Sequence, residues 1–196
     1  MLRTVQRLQW LTIVWMAVEA FIALDSAWVA HSPALLGFGG DSAIELLSAT
    51  IILWRFRSDS RRALSEKLAA RVAGALLFAV AAFVLATSVL ALLGYREPKR
   101  SRAGIALLIA AALVMPWLTR QKRKLAVQMQ SAALRADAAE SALCGSLALI
   151  ALTGLLVNAV FDVPWADPVA ALLIIPFVVK EAYEAIAHPS RPCCSN

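Results

Sequence analysis

Ala34-Leu-Leu-Gly37-Phe-Gly39-Gly40-Asp41-Ser-Ala-Ile-Glu45-Leu-Leu-Ser-Ala-Thr-Ile-Ile-Leu-Trp54 is the stretch on which the fold turns. It is as long as a helix needs to be to cross a bilayer, about 20 residues. It is apolar almost throughout, yet it carries two acids near its middle. An ionisable group at that depth costs about 2.5–3.5 kcal/mol even on permissive insertion scales. Asp41 and Glu45 are therefore candidate functional residues by default. Their spacing of four puts them one turn apart on one helical face.

Working outward, the rest of the chain has the same character. Of 196 residues, 61% are hydrophobic and 16% charged, and the mean hydropathy is +0.72. A soluble domain runs nearer ~45–50% apolar and ~25% charged, so a soluble globular enzyme and a disordered chain are both excluded. Six segments can be drawn: 8–30, 34–54, 70–93, 104–119, 132–160 and 165–187. At about 20 residues each, six spans use about 120 residues and leave only short loops. The expected fold is an all-α membrane protein, a six-transmembrane-helix bundle. Residues 1–187 form the transmembrane domain and 188–196 a short cytoplasmic tail. The first segment follows Arg3 and Arg7 but contains Glu19 and Asp25, which a signal peptide's apolar region lacks, so it reads as an uncleaved first span.

The net charge of +6 sits in clusters between apolar runs. Arg55, Arg57, Arg61, Arg62, Lys67 and Arg71 follow the second span; Arg120, Lys122, Arg123 and Lys124 follow the fourth. By the positive-inside rule these loops are cytoplasmic, and so are both termini. Arg96, Lys99, Arg100 and Arg102 fall on the outer side, but the distribution is 15 basic residues inside against 4 outside. No basic patch is interleaved with aromatics, so nucleic acid is not an expected partner; the lipid bilayer is. Trp10, Trp28, Trp54, Trp117 and Trp165 fall at span ends, where indole rings favour the headgroup level. Gly37, Gly39 and Gly40 admit a close neighbour, and Pro176 is placed to kink the sixth span.

The fifth span holds a second set of polar groups: Asp137, then Glu140 and Cys144 at the same spacing of four. Two helices, each offering two ligands from one face, can close a four-coordinate cage around a divalent ion. Zinc accepts such ligands, with thiolate at ~2.3 Å and carboxylate at ~2.0–2.2 Å. Asp41, Glu45, Glu140 and Cys144 are the expected metal ligands. Metal entry into so acidic a cage should release protons. The same acids could instead hydrogen-bond neighbouring helices, with Cys144 as an apolar filler.

These residues resemble a family, the cation diffusion facilitators. The run from Ser32 to Ser48, with its acid pair, looks like that family's second span. Ala136-Asp137-Ala-Ala-Glu140-Ser-Ala-Leu-Cys144 is similar to its fifth span, where an alanine–aspartate pair precedes His-x-x-x-Asp. Asp167-Pro168-Val-Ala-Ala-Leu-Leu-Ile174 resembles the opening of its sixth span. The likeness follows the whole chain in order. It implies a transporter, not an enzyme, that moves a divalent metal out of the cytoplasm in exchange for protons by alternating access. Its expected location is the cell membrane. Glu45 stands where Asp is frequent, Glu140 replaces the usual His and Cys144 the usual Asp. The expected cargo is zinc, with cadmium, mercury or iron(II) behind it, since a thiolate disfavours magnesium and calcium. About nine residues follow the sixth span, so the family's cytoplasmic C-terminal domain is not expected; a homodimer stays open. The alternative is a membrane metal-binding or accessory protein without turnover.

Asp137 is expected to support the ligands from behind or to contact Arg135. Glu19 and Asp25 are candidates for a proton path or for pairing with a basic side chain. Cys193 and Cys194 belong to the tail. His31 reads as a plain hairpin residue and Asn158 as a hydrogen bond between helices.

Overall fold

The computed structural model describes residues 2–55, 62–95, 97–128 and 132–187, with side chains from 7–47, 71–95, 97–128 and 138–187. Six helices follow one another: α1 (Leu2–Ala30), α2 (Pro33–Arg55), α3 (Arg62–Leu92), α4 (Arg102–Gln128), α5 (Ala132–Phe161) and α6 (Ala166–Ala187). Among the described residues, four of them contain stretches long and apolar enough to cross a membrane: Arg7–Ala30, Arg71–Leu92, Arg102–Gln128 and Ala138–Phe161. The other two hold more of the chemistry. α2 carries Asp41 and Glu45, and α6 carries Asp167, Lys180, Glu181 and Glu184.

Two helices outrun their expected spans. α4 continues to Gln128, so Arg120 to Lys124 lie on helix where a loop was expected, and α3 already starts at Arg62. Lysine and arginine are good helix formers, and nothing in either stretch breaks the backbone. Lys122 is also not a loop charge. It is 1% exposed, and its Nζ donates to Ser141 Oγ at 2.8 Å, tying α4 to α5.

α2 is the central element, packing against α1, α3, α5 and α6; α3 pairs with α6 and α4 with α5. Its glycines let it sit there. A Cβ on Gly39 would lie 2.8 Å from Ala23 Cβ and 3.1 Å from the Leu24 backbone nitrogen, and one on Gly40 would lie 2.8 Å from Val80. Gly37 is not needed in this way, since its nearest neighbour would be Ile174 at an ordinary 3.5 Å. The core is built largely from small and branched side chains, among them Ala23, Ala34, Leu108, Ala148 and Ile174, around Phe38. Small residues suit helix pairs in a membrane, where close backbone approach replaces the hydrophobic drive of water.

Three connections meet at one end of the bundle and are tied to one another. α1 ends with His31 in the left-handed region at φ 54°, and Ser32 N donates back to Ala27 O at 3.1 Å. This is a Schellman cap, consistent with a plain hairpin role for His31. Ser32 then caps α2: its Oγ accepts from Leu35 N at 3.1 Å, with Pro33 at the first helical position, where its missing N–H costs nothing. The α3–α4 connection is held by Lys99 N on Ala30 O at 2.7 Å. Asn158 Nδ2 donates to Pro98 O at 3.2 Å, so its partner is that loop. Arg100 pairs with Asp162 of the α5–α6 connection, which balances part of the basic charge that the positive-inside count placed on this side. With six helices running alternately up and down, the start of α1 and the end of α6 lie at the opposite end.

Candidate metal centre

Helical periodicity delivers Asp41 and Glu45 from one face of α2, as the spacing requires. α2 is the helix touched from most sides, so that face points into the protein. Asp41 is 1% exposed and Glu45 is half-buried. The third member of the group is Glu181 of α6: one carboxylate oxygen from each of Asp41, Glu45 and Glu181 lies within 4.8 Å of the others. Asp41 and Glu181 are within hydrogen-bonding reach of each other. Asp41 Oδ1, however, has no hydrogen-bond partner among the described residues.

A second polar group adjoins the first through Ser42. Glu19 of α1 is completely buried. Its Oε1 accepts from the Cys144 thiol at 3.4 Å and faces Ser42 Oγ at 3.4 Å; that hydroxyl also reaches Phe38 O at 3.1 Å. Glu19 Oε2 has no hydrogen-bond partner among the described residues. Thus α1, α2 and α5 converge on one carboxylate, with a thiol beside it.

The residues singled out from sequence fall into place as follows. Asp41 and Glu45 are together. Cys144 is 1% exposed and lies against Glu19, outside the three-acid group. Glu140 is exposed; its charge acts on Asp41 and Glu45, but its oxygens are not among the three. Glu19 lies inside the bundle, whereas Asp25 is exposed on α1. The side chains of Asp137, Arg135 and Trp54, and both tail cysteines, lie outside the described residues.

Sequence reasoning missed Glu181, because a charge after Lys180 near the end of an apolar run looks like an interfacial residue. A signal did exist. Ile174, Val178 and Ala182 are buried at a spacing of four, and Glu181 follows Val178 by three on that same stripe. Lys180 and Glu184, off the stripe, are exposed and pair with each other at 3.9 Å.

Chemically, buried carboxylates in a bundle of this kind can do two things: bind a cation, or hold protons. Two ligands of one zinc-sized ion, each ~2.1 Å from it, are at most ~4.2 Å apart. Three ligands of such an ion in its tetrahedral geometry stand about 3.4 Å apart, so the three oxygens, which lie within 4.8 Å of one another, would have to draw together to share it. The model of the cation efflux transmembrane domain matches residues 9–188. Among curated proteins, no sequence matches at a significant level.

Proposed function

Because this chain belongs to the cation efflux family, an integral membrane family of metal cation transporters, we propose that it exports a divalent metal from the cytoplasm across the cell membrane. Zinc is the proposed cargo, protons are the counter-ion, and Asp41 and Glu45 anchor the ion. The observation that carries this reading is the burial of that acid pair on the central helix, beside a third carboxylate and an unpartnered Asp41 oxygen. A buried acceptor without a donor is costly unless something positive comes to it.

The chemistry of exchange follows from the donor set. Carboxylates bind metal only when deprotonated, so an arriving ion drives protons off and a departing ion lets them return. A site emptied of metal is therefore a site loaded with protons. If only the fully protonated or the metal-loaded forms cross the barrier between inward and outward openings, one flux drives the other. Glu140 and Cys144 on α5 remain the proposed partners of the α2 pair in the transport cycle. Glu19, hydrogen-bonded by Cys144 and facing Ser42, is the proposed acceptor of a proton that leaves the site.

The test is flux. In proteoliposomes with an imposed pH gradient, the wild-type protein should move zinc against protons, and Asp41→Ala should not. Zinc binding by the wild type without any gradient-driven flux would leave a metal-binding accessory protein, and the transport reading would fall.

A further inference from the structure

Glu181 stands on α6, while the acid pair and its expected partners stand on α2 and α5. The geometry points to Glu181 as a third ligand of the transported cation, which makes the site a three-carboxylate cage built by α2 and α6. This rests on the transport reading above and gives its ion site a ligand that the motifs of the sequence do not contain.

Three observations support it. First, the oxygens of Asp41, Glu45 and Glu181 lie within 4.8 Å of one another, near enough for side-chain movement to bring them to the roughly 3.4 Å separation of tetrahedral ligands on one ion. Second, Asp41 Oδ1 is an acceptor without a hydrogen-bond partner among the described residues, on a side chain 1% exposed. It is a buried acceptor that needs a cation or a donor, on a member of the group. Third, α6 turns Glu181 inward with Ile174, Val178 and Ala182 while its charged neighbours stay exposed. An acid that merely tolerated the helix end would be expected outside with them.

The donor set defines the class of cargo. Three carboxylates offer oxygen alone, a set that suits manganese, magnesium and calcium, that zinc also accepts, and that gives no foothold to monovalent copper. The thiol of Cys144 is turned to Glu19 at 3.4 Å, so sulfur enters the ion's surroundings only if that contact is given up. An ion in this cage also staples α6 to α2, so metal occupancy and the packing of α6 are linked.

Calorimetric titration of zinc into purified wild type, Glu181→Gln, Glu184→Gln and Asp41→Ala tests it. Glu181→Gln should weaken zinc binding by at least about tenfold, the lower end of what even outer-shell changes cost. Glu184→Gln, on the exposed side of the same turn, should stay within about twofold of wild type on that scale. Zinc binding by Glu181→Gln within the same margin, while Asp41→Ala loses it, overturns the third ligand and leaves the α2 site standing. Undiminished binding by Asp41→Ala overturns the α2 site itself. Glu181→His covers the case in which the Gln variant fails to fold. An imidazole ligand should raise the preference for copper(II) and nickel over manganese; an unchanged metal ranking in that variant also overturns the assignment.

Discussion

Asp167 and Asp41 are buried to the same degree, each 1% exposed, and they have opposite surroundings. Asp167 of α6 accepts from Ser32 Oγ at 2.5 Å through one oxygen and from Ala34 N at 3.0 Å through the other. It closes the N-terminal end of α2, where free backbone N–H groups and the helix dipole favour a negative charge. Asp41 has two carboxylate neighbours and one oxygen that finds no donor among the described residues. Burial therefore does not separate structure from function in this protein; the partner set does. A carboxylate whose lone pairs are met by donors holds the fold together, and one left among other acids is poised for a cation.

That contrast can be broken from either side, and the largest effect should come from Asp41. Replacing it with Ala should weaken zinc binding by at least about 100-fold, since a direct ligand is worth more than the 10–100-fold of its supports. The variant should still fold, because relieving acid–acid repulsion offsets part of the lost packing. Titration calorimetry and a melting curve on the same sample read both. Asp167→Ala should do the reverse. It leaves the Ser32 hydroxyl and the Ala34 N–H without an acceptor, a cost of about 1–3 kcal/mol each when buried. The melting temperature should fall while zinc affinity in the folded fraction holds. An Asp167 variant that lost metal and kept its stability would erase the distinction.

Gly39→Ala probes the packing that brings α2 to the centre. The added methyl meets Ala23 Cβ at 2.8 Å and the Leu24 backbone at 3.1 Å, and overpacking of that kind costs about 1–3 kcal/mol. Denaturation in detergent should show it, with flux reduced because α1 and α2 must separate slightly. The smallest effect concerns pH. Metal competes with protons for the carboxylates, so zinc affinity should fall as pH falls, by about tenfold per pH unit for each proton released. Asp41→Asn should flatten that slope, and Asp167→Asn should leave it unchanged. Titrations in two buffers of different ionisation enthalpy count the protons.

Much of the fold was legible because helices in lipid satisfy their own backbone hydrogen bonds and need an apolar run of known length. The run from Ala34 to Trp54 and its five companions all became helices. The errors fell at the basic ends of α3 and α4, where a rule about charge placement says nothing about where a helix stops. Within the site, Asp41 and Glu45 were visible as a local pattern on one strip of helix. Glu181 was masked by Lys180 and Glu184 on either side of the same turn, and only the buried stripe through Ile174 and Val178 separates them. The Cys144–Glu19 contact had no local signature, since it joins residues far apart in the chain.

What the sequence determined by itself was whatever depends on neighbours along the chain. That includes the helical runs, the cap at Ser32 and Pro33, and the shared face of Asp41 and Glu45. These follow from a helical repeat of 3.6 residues and from the price of a charge in hydrocarbon. Which carboxylate meets which group was decided only in three dimensions. Asp167 reaches the start of α2, Glu181 reaches Asp41, and the thiol of Cys144 reaches Glu19 because of how each helix is rotated and how closely glycine lets it approach. Helix rotation is set by the fit of side chains from several helices at once, and no single segment contains that information.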